Sequence, residues 1–439
     1  MLRPLLLTLS LLLCACMEGQ NPDGASSPVR TGPAQADLAW VPVWGTAVQA
    51  AYPIGFPVDP KQQDTGGTLS PYFLPTVAGV SLSYPLLAVF PGNRATNQTL
   101  RQIVRPTVAA NTMRLVLSNK FGDKPLQLQD VFVGLKGEGP SVVAGSNVRI
   151  TFNGATQFVI PAGETLTSDT FILPVLPSQA LAISLFIPKT SGLLSWHASS
   201  LMTSYATDPN QGNHAESTDG KLFTNPMGSW FLIDRLEAQV TDGVESTVAV
   251  LGDSITDGVY ASFDANNRWT DVLSNRLVQA YGNRISVTNA GIGGNMLLLD
   301  SPQSKSGRTR LQEDLLTMPN VKWVIVSLGI NDVNFARTAP EIIKGLEDLA
   351  TKIRQAGKVP IASTLGPTYV LVATNTRLKV NEWIRTSGVY SHVLDFDAVL
   401  RDDTNPLFYK QAFASGDNLH PNKDGFKAMG ESIDLRVFE

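Results

Sequence analysis

Two different rhythms of apolar and polar residues divide this chain. From about residue 40 to 242, short runs with alternating apolar positions are separated by Gly, Pro, Asn and Asp, as in residues 112–118, 148–152, 181–186 and 230–234. Alternation with a period of two is typical of strands with one buried face, and no segment of helical periodicity interrupts these runs. We therefore predict an antiparallel β-sandwich domain over residues 40–242.

From residue 243 to the end of the chain, continuous apolar runs alternate with segments of helical periodicity. The predicted strands are residues 247–251, 285–288, 323–327, 359–362 and 392–395, and the predicted helices are residues 268–281, 340–355 and 423–435. Strands that alternate with helices indicate βαβ units and a parallel sheet covered on both faces. We predict a three-layer α/β/α domain of flavodoxin-like winding, with its functional site at the carboxyl ends of the strands.

The first residues carry an export signal and a candidate lipid anchor. Arg3 precedes an apolar stretch from Leu5 to Leu13 that is too short to span a bilayer, so residues 1–16 are interpreted as a signal peptide. Residues 13–16 (Leu-Cys-Ala-Cys) resemble the lipobox of bacterial lipoproteins, which predicts lipidation of Cys16. The alternative is an ordinary leader that happens to contain cysteines. Residues 17–39 are rich in Gly, Pro, Ala and Ser and are predicted to form a flexible linker.

Composition narrows the range of partners. The chain has 439 residues, 43% of them hydrophobic, and a formal net charge of −4. We see no basic run suited to nucleic acid or to an anionic membrane, so we expect neither as a partner beyond a lipid anchor at the N-terminus. Both cysteines lie in the leader, which leaves the mature domains without an intramolecular disulfide.

Four short blocks that follow predicted strands carry the candidate chemistry. They are residues 252–258 (GDSITDG), 289–295 (NAGIGGN), 329–332 (GIND) and 417–421 (DNLHP). Ser254 follows a buried strand directly, where backbone N–H groups can stabilise an oxyanion. The glycines of the second block permit close approach to a ligand, and Asn331 offers a side-chain amide donor. Asp417 precedes His420 by three residues, a spacing that lets a carboxylate hold one ring nitrogen.

Each block also has a structural explanation when it is taken alone. Ser254 could belong to a capped turn, since the G-x-S-x-G motif is absent. The second block could be a phosphate-binding loop, but Met296 occupies the position of the last glycine in G-x-G-x-x-G. Asn331 could satisfy its own backbone in a turn. The four blocks together, in this order, favour catalysis.

In this order, the blocks resemble those of the SGNH (GDSL-type) hydrolase family from about residue 244 to the C-terminus. The resemblance implies that Ser254 is the nucleophile, His420 the general base and Asp417 its orienting partner. It also implies an oxyanion hole formed by the Ser254 and Gly294 N–H groups and the Asn331 amide, with no metal or organic cofactor. Residues 97–104, 117–122 and 196–197 resemble the N-terminal part of a subgroup of these enzymes that carries a β-rich domain.

Several other polar residues are expected to be structural. His197 and His214 have no spacing suited to a metal site, so we predict no metal and assign both to packing. Arg308 and Arg310 could meet an anionic or sugar substrate, although we expect a solvated helix face. Tyr260 and Phe335 could form an aromatic platform for substrate, or pack in the core.

The resulting functional prediction is an exported serine esterase. We expect it to hydrolyse O-acetyl or other short acyl groups on a carbohydrate, and to be an outer-membrane lipoprotein facing the periplasm or the cell surface. The alternatives are a lipid or aryl ester hydrolase, a non-catalytic glycan-binding lipoprotein, and a soluble periplasmic or secreted location.

Overall fold

The computed structural model describes residues 39–51, 76–77, 80–81, 90, 93–301, 304–368, 370 and 373–439. The predicted signal peptide, Cys16 and almost all of the predicted linker lie outside these residues. Residues 39–439 form one compact unit. No helix in the described ranges combines the length and apolar character needed to cross a membrane.

The first part of this unit consists of antiparallel sheets. One sheet has the strand order β1-β16-β5-β10, with β9 beside β5, and a second has the order β14-β13-β4-β11-β6-β7, with β8 beside β6. Two short pairs, β2-β3 and β12-β15, complete the set. The bounds are β1 Trp40–Gly45, β2 Thr76–Val77, β3 Val80–Ser81, β4 Gln98–Val104, β5 Ala110–Ser118, β6 Leu126–Leu135, β7 Val148–Ile150, β8 Gln157–Ile160, β9 Thr165–Thr167, β10 Phe171–Val175, β11 Leu181–Ile187, β12 Trp196–His197, β13 Ser204–Ala206, β14 Asn225–Met227, β15 Trp230–Phe231 and β16 Ile233–Gln239.

The two large antiparallel sheets share a common apolar core, which includes Leu100, Leu115, Leu185 and Leu236. Alternating apolar positions on β5 and β10 point into this core, as the period of two requires. The antiparallel part of the fold prediction is confirmed, with one difference in detail. The run at residues 230–234 is divided between β15 and β16, because Leu232 has a left-handed backbone (φ 64°) that breaks the strand.

The second part is a five-stranded parallel sheet with helices between its strands. Its order is β18-β17-β19-β20-β21, which is the 2-1-3-4-5 winding of flavodoxin-like folds and confirms the predicted α/β class. The bounds are β17 Ser246–Gly252, β18 Ile285–Gly291, β19 Val321–Ser327, β20 Val359–Ser363 and β21 His392–Leu394, with helices α1 Ser254–Asp257, α2 Trp269–Tyr281, α3 Gly307–Leu311, α4 Ile330–Asn334, α5 Ala339–Gln355, α6 Thr374–Thr386, α7 Phe396–Leu400 and α8 Lys423–Ser432.

The antiparallel part covers the open edge of the parallel sheet. Strand β18 has a sheet neighbour only on one side, and the backbone N–H of Val287 donates to Thr107 Oγ1 at 3.1 Å. Ser286 Oγ donates to the Pro42 carbonyl at 2.6 Å, and Thr247 Oγ1 donates to the same oxygen at 3.0 Å. The first bond satisfies a backbone group that an uncovered edge would leave to solvent, and the other two join β1 to side chains of β18 and β17.

Candidate functional site

Ser254 lies at the first turn after strand β17. It is the first residue of α1, and the Asp253 side chain caps this helix by accepting the Ile255 N–H at 3.0 Å. Gly252 ends β17, where a Cβ atom would approach the Thr256 side chain to 2.2 Å. The turn therefore requires glycine there, and it places the buried Ser254 hydroxyl at the carboxyl edge of the sheet.

His420 lies next to this hydroxyl although it is far away in sequence. Its Nε2 atom is 2.8 Å from Ser254 Oγ, and its Nδ1 atom is 2.6 Å from Asp417 Oδ2. Because an ionised carboxylate only accepts, Nδ1 carries the proton and Nε2 accepts the hydrogen bond from the serine. The three predicted residues thus form one hydrogen-bonded chain.

Asp417 is held in its ionised form. Burial opposes its ionisation, but the bond with the His420 ring and the backbone N–H groups of His420 and Leu419 outweigh burial and lower the pKa of Asp417 to about 2. Its Oδ1 atom also accepts from Ser415 Oγ at 2.9 Å. The carboxylate is consequently charged and fixed in orientation at neutral pH.

The second and third blocks lie at the same edge of the sheet. Gly294 belongs to the loop after β18 and has a left-handed backbone (φ 70°), which glycine adopts readily. Asn331 is buried in α4, and its Nδ2 atom donates to the Asn295 carbonyl at 2.9 Å. Asn295 directly follows Gly294, so this bond joins the two candidate oxyanion elements.

Acidic residues beneath the site bind its loops. Asp332 is fully buried and accepts the N–H groups of Leu297 and Leu298 at 2.7 and 3.0 Å. Burial raises the pKa of Asp332 to about 6. Burial, together with repulsion from Asp332, raises the pKa of Asp253 to about 7. Both carboxyl groups accept hydrogen bonds from backbone N–H groups, and neither forms a side-chain hydrogen bond with the Ser254 hydroxyl in the described part of the chain.

Arg310 corrects the sequence-based expectation of a solvated helix face. It is 3% exposed and donates to the Gly252 carbonyl at 2.8 Å, to Asn295 Oδ1 at 3.0 Å and to Asp314 Oδ2 at 3.1 Å. It therefore ties the strand before Ser254 to the loop that carries Gly294. Arg308, in contrast, is exposed and pairs with Asp348, as the expectation required.

The two upstream histidines differ in their surroundings. His214 is half-buried, and its Nε2 atom contacts the Gln211 carbonyl at 3.0 Å. His197 is 3% exposed and contacts Asp257, in the first block, at 3.1 Å. Sequence reasoning did not find this contact, because nothing in the spacing of His197 and Asp257 signals it. Among the described residues, no cluster of three or more His, Cys, Asp or Glu side chains could hold a metal ion.

Aromatic and apolar side chains lie around the site. The Tyr260 ring is 5.7 Å from the His420 ring, centroid to centroid, and Phe335 is 66% exposed one residue after α4. A groove of about 520 Å³ is lined in part by Val333 and Asn334, which follow Asn331 in α4. Most of its other lining is apolar, namely Ala336, Ala339, Pro340, Ile343, Val370 and Ala373. The surroundings could accept a sugar face or an acyl chain.

The second part of the chain is similar to known proteins. Residues 250–428 match the model of the GDSL-like lipase/acylhydrolase family. Similar solved structures include a protein described as lipolytic, of the G-D-S-L family, from Desulfitobacterium hafniense DCB-2 (25% identity, 43% of this chain and 97% of that chain, TM-score 0.34). Another is a carbohydrate acetylesterase family member from Sinorhizobium meliloti (20% identity, covering 44% of this chain and 97% of that chain, TM-score 0.36). No curated protein matches the sequence significantly.

Proposed function

We propose that this protein, whose residues 250–428 belong to the GDSL-like lipase/acylhydrolase family, is a serine esterase with Ser254 as its nucleophile. One observation carries the proposal. A continuous hydrogen-bonded chain runs from Asp417 through His420 to Ser254, with distances of 2.6 and 2.8 Å. This is the geometry by which a carboxylate, an imidazole and a hydroxyl produce an activated serine.

The proposed acylation step uses this chain directly. Ser254 Oγ attacks the ester carbonyl carbon while its proton moves to His420 Nε2, and the carbonyl electron pair moves onto oxygen. That oxyanion is stabilised by the backbone N–H groups of Ser254 and Gly294 and by the Asn331 amide. Collapse of the tetrahedral intermediate breaks the bond to the alcohol, which leaves with the proton from His420.

Deacylation repeats the same sequence with water as the nucleophile. His420 takes a proton from water, the hydroxide attacks the acyl carbon, and Ser254 leaves as the alcohol after it regains its proton. Asp417, which the low pKa keeps ionised, stabilises the imidazolium in both steps. The products are an alcohol and a carboxylic acid, and the side chains named here suffice for every proton transfer.

For the substrate, we propose a short acyl group, O-acetyl above all, on a carbohydrate. The support is a fold-level analogy: an antiparallel sandwich, a type of domain that often contacts glycans, lies beside the proposed catalytic part. The aromatic ring of Tyr260 near His420 and the exposed ring of Phe335 add apolar faces on which a sugar could pack.

A second candidate substrate is an ester with a longer acyl chain, as in lipids. The observation that favours it is the groove lined in part by Val333 and Asn334, since its volume of about 520 Å³ and its apolar lining suit a chain of several methylenes. Each buried methylene would contribute about 0.8 kcal/mol to binding. Acyl length should therefore separate the two candidates clearly.

The deciding experiment compares acyl chain lengths and polymeric substrates in one series. 4-Nitrophenyl esters from acetate to decanoate are hydrolysed beside acetylated xylan and pectin, with Ser254→Ala as the matched control. The carbohydrate proposal expects the highest kcat/KM at acetate and release of acetate from a polysaccharide. A maximum at longer chains without acetate release would favour the lipid ester. No hydrolysis at all by the folded wild type would instead favour a non-catalytic glycan-binding protein.

A further inference from the structure

The imidazole of His197 is buried at the contact between the antiparallel part and the α1 helix. Its Nδ1 atom lies 2.9 Å from the Ala47 carbonyl, and its Nε2 atom lies 3.1 Å from Asp257 Oδ1. The ring also packs against Trp230 in a near-parallel arrangement, with 5.5 Å between centroids. The two hydrogen-bond partners restrain the ring within its plane, and Trp230 restrains its face. The fold therefore determines the orientation of the ring.

Asp257 transmits this contact to the candidate oxyanion loop. Its Oδ1 atom contacts His197, whereas its Oδ2 atom accepts the backbone N–H of Gly293 at 2.9 Å. Gly293 immediately precedes Gly294, and the carbonyl of Gly293 shares one peptide plane with the N–H of Gly294. The carboxylate thus holds the residue whose peptide bond sets the direction of the proposed oxyanion donor.

We propose that His197 is a positioning residue that acts through Asp257 to fix the direction of the Gly294 N–H. The antiparallel part of the chain would then complete the oxyanion hole without contacting the substrate. The inference rests on the proposed esterase function, because it assigns a role within that reaction.

The hydrogen-bond partners of His197 explain why its replacement should disturb the contact with Asp257. Both ring nitrogens face oxygen acceptors, namely the Ala47 carbonyl on one side and Asp257 and the Ser199 carbonyl on the other. The ring therefore has an oxygen partner on each side. Without the ring, Asp257 would be a buried carboxyl group, 3% exposed, that has lost a partner. Such a group reorients towards other partners, and this movement disturbs the bond to Gly293.

A second contact, from Arg268 before α2, also ends on Asp257, but on its backbone and not on its carboxylate. Arg268 donates to the Asp257 backbone carbonyl at 2.7 Å and to the Ser200 carbonyl at 2.6 Å. It therefore connects the two parts of the chain through backbone, whereas His197 contacts the carboxylate that holds Gly293. Loss of His197 should consequently affect the loop more than it affects docking of the two parts.

The test separates positioning from general stability by comparing His197 with buried and half-buried controls. His197→Ala should lower kcat/KM for 4-nitrophenyl acetate about 10- to 100-fold, the range expected for a small misplacement of catalytic geometry. His197→Gln, whose amide N–H can still donate towards Asp257, should recover most of this loss. Gln102→Ala removes buried bonds to the Phe231 backbone and should reduce Tm with kcat/KM within a few-fold of wild type. His214→Ala should change neither quantity.

Inhibition by phenylboronic acid provides a readout that a merely structural role would not change. The boronate forms a tetrahedral adduct with a reactive serine and places an oxygen in the oxyanion hole. His197→Ala should raise its inhibition constant by about the same factor as it lowers kcat/KM. A loss of activity in His197→Ala without weaker boronate binding would overturn the proposal. The proposal would also fail if His197→Ala and Gln102→Ala, at an equal decrease in Tm, lost the same activity.

A double-mutant cycle tests the route through Asp257. If His197 acts through this carboxylate, the variant with both His197→Ala and Asp257→Ala should be little worse than Asp257→Ala alone. Additive losses would refute the route. If His197→Ala does not fold, Asp257→Asn is measured in its place. The asparagine has a single side-chain oxygen, which cannot contact both His197 and the Gly293 N–H. Wild-type activity of Asp257→Asn would overturn the proposal. Ser254→Ala is measured in parallel, because activity in that variant would refute the esterase function itself.

Discussion

Replacement of Asn331 by alanine tests the oxyanion hole most directly. The side chain is 7% exposed, and the bond from its Nδ2 atom to the Asn295 carbonyl, 2.9 Å long, fixes the amide before any substrate arrives. A donor that is already oriented needs no reorganisation in the transition state, which is the condition under which such contacts contribute most. We therefore expect the second N–H of this amide to donate to the developing oxyanion.

The expected loss follows from the number of donors. Removing one donor from an oxyanion hole of three costs about 10²- to 10³-fold in kcat, or about 2.7–4 kcal/mol of transition-state stabilisation. The loss should be mainly in kcat, because the contact strengthens only as charge develops on oxygen. Asn331→Asp keeps the shape but replaces the donor with a carboxylate, so like-charge repulsion should make its loss larger than that of Asn331→Ala.

The assay is initial-rate hydrolysis of 4-nitrophenyl acetate, measured well below the Tm of each variant. Asn283→Ala is the control, because the half-buried Asn283 amide also donates to backbone carbonyls, of Ala109 and Asp242, but lies before β18, at the amino ends of the parallel strands. We expect this control to lose stability and to retain kcat. An Asn331→Ala variant with wild-type kcat, or an Asn331→Asp variant as active as Asn331→Ala, would refute the assigned role.

Four further predictions address the triad, its acid sensitivity, the anchor and the antiparallel part. Ser254→Ala and His420→Ala should each reduce kcat by about 10⁴- to 10⁶-fold, and the double variant should be little worse, as steady-state or single-turnover rates will show. Asp417 has a folded-state pKa of about 2, below its unfolded value of about 4, so its contribution to stability is present above pH 4 and lost as the pH falls towards 2. Asp417→Asn should therefore lose less stability than wild type between pH 5 and pH 2 in urea unfolding. Cys16→Ser should move the protein from the membrane to the soluble fraction, and a wild type that is already fully soluble contradicts lipidation. A chain that begins near Glu245 should still hydrolyse 4-nitrophenyl acetate, because the proposed triad lies beyond that point. Its kcat/KM should be at least about 10- to 100-fold lower, because it lacks His197; a well-folded but inactive fragment would contradict the prediction.

The α/β fold and the grouping of the four blocks could be predicted from local patterns. Residues 247–251 and 323–327 are continuous apolar runs, and parallel strands bring their carboxyl ends to one edge of the sheet. Ser254 and Asn331 each follow such a strand within a few residues, so their approximate place was determined by sequence position alone. Asp417 and His420 are close because they share one turn.

The surroundings of these residues could not be predicted, because they depend on contacts between distant segments. Arg310 looks like a residue of an exposed helix face, yet its partners Gly252 and Asn295 lie 58 and 15 positions away, at the end of β17 and in the loop after β18. A guanidinium is buried only where such acceptors converge, and no local pattern reveals convergence. The same holds for Leu232, whose left-handed backbone splits one predicted strand into two.

Two contacts that sequence analysis missed lie where the antiparallel part meets the α/β part. His197 contacts Asp257 across 60 positions, and Lys120, in the loop after β5, contacts Asp314, the carboxylate that pairs with Arg310. The first contact ends on the carboxylate that holds Gly293, and the second ends one bond from Arg310, which holds Asn295. The proposed positioning role requires contacts of this kind, because a loop keeps one orientation only when the groups that anchor it are themselves fixed. We therefore propose that residues 40–242 contribute to the geometry of the reaction even where they do not contact the substrate.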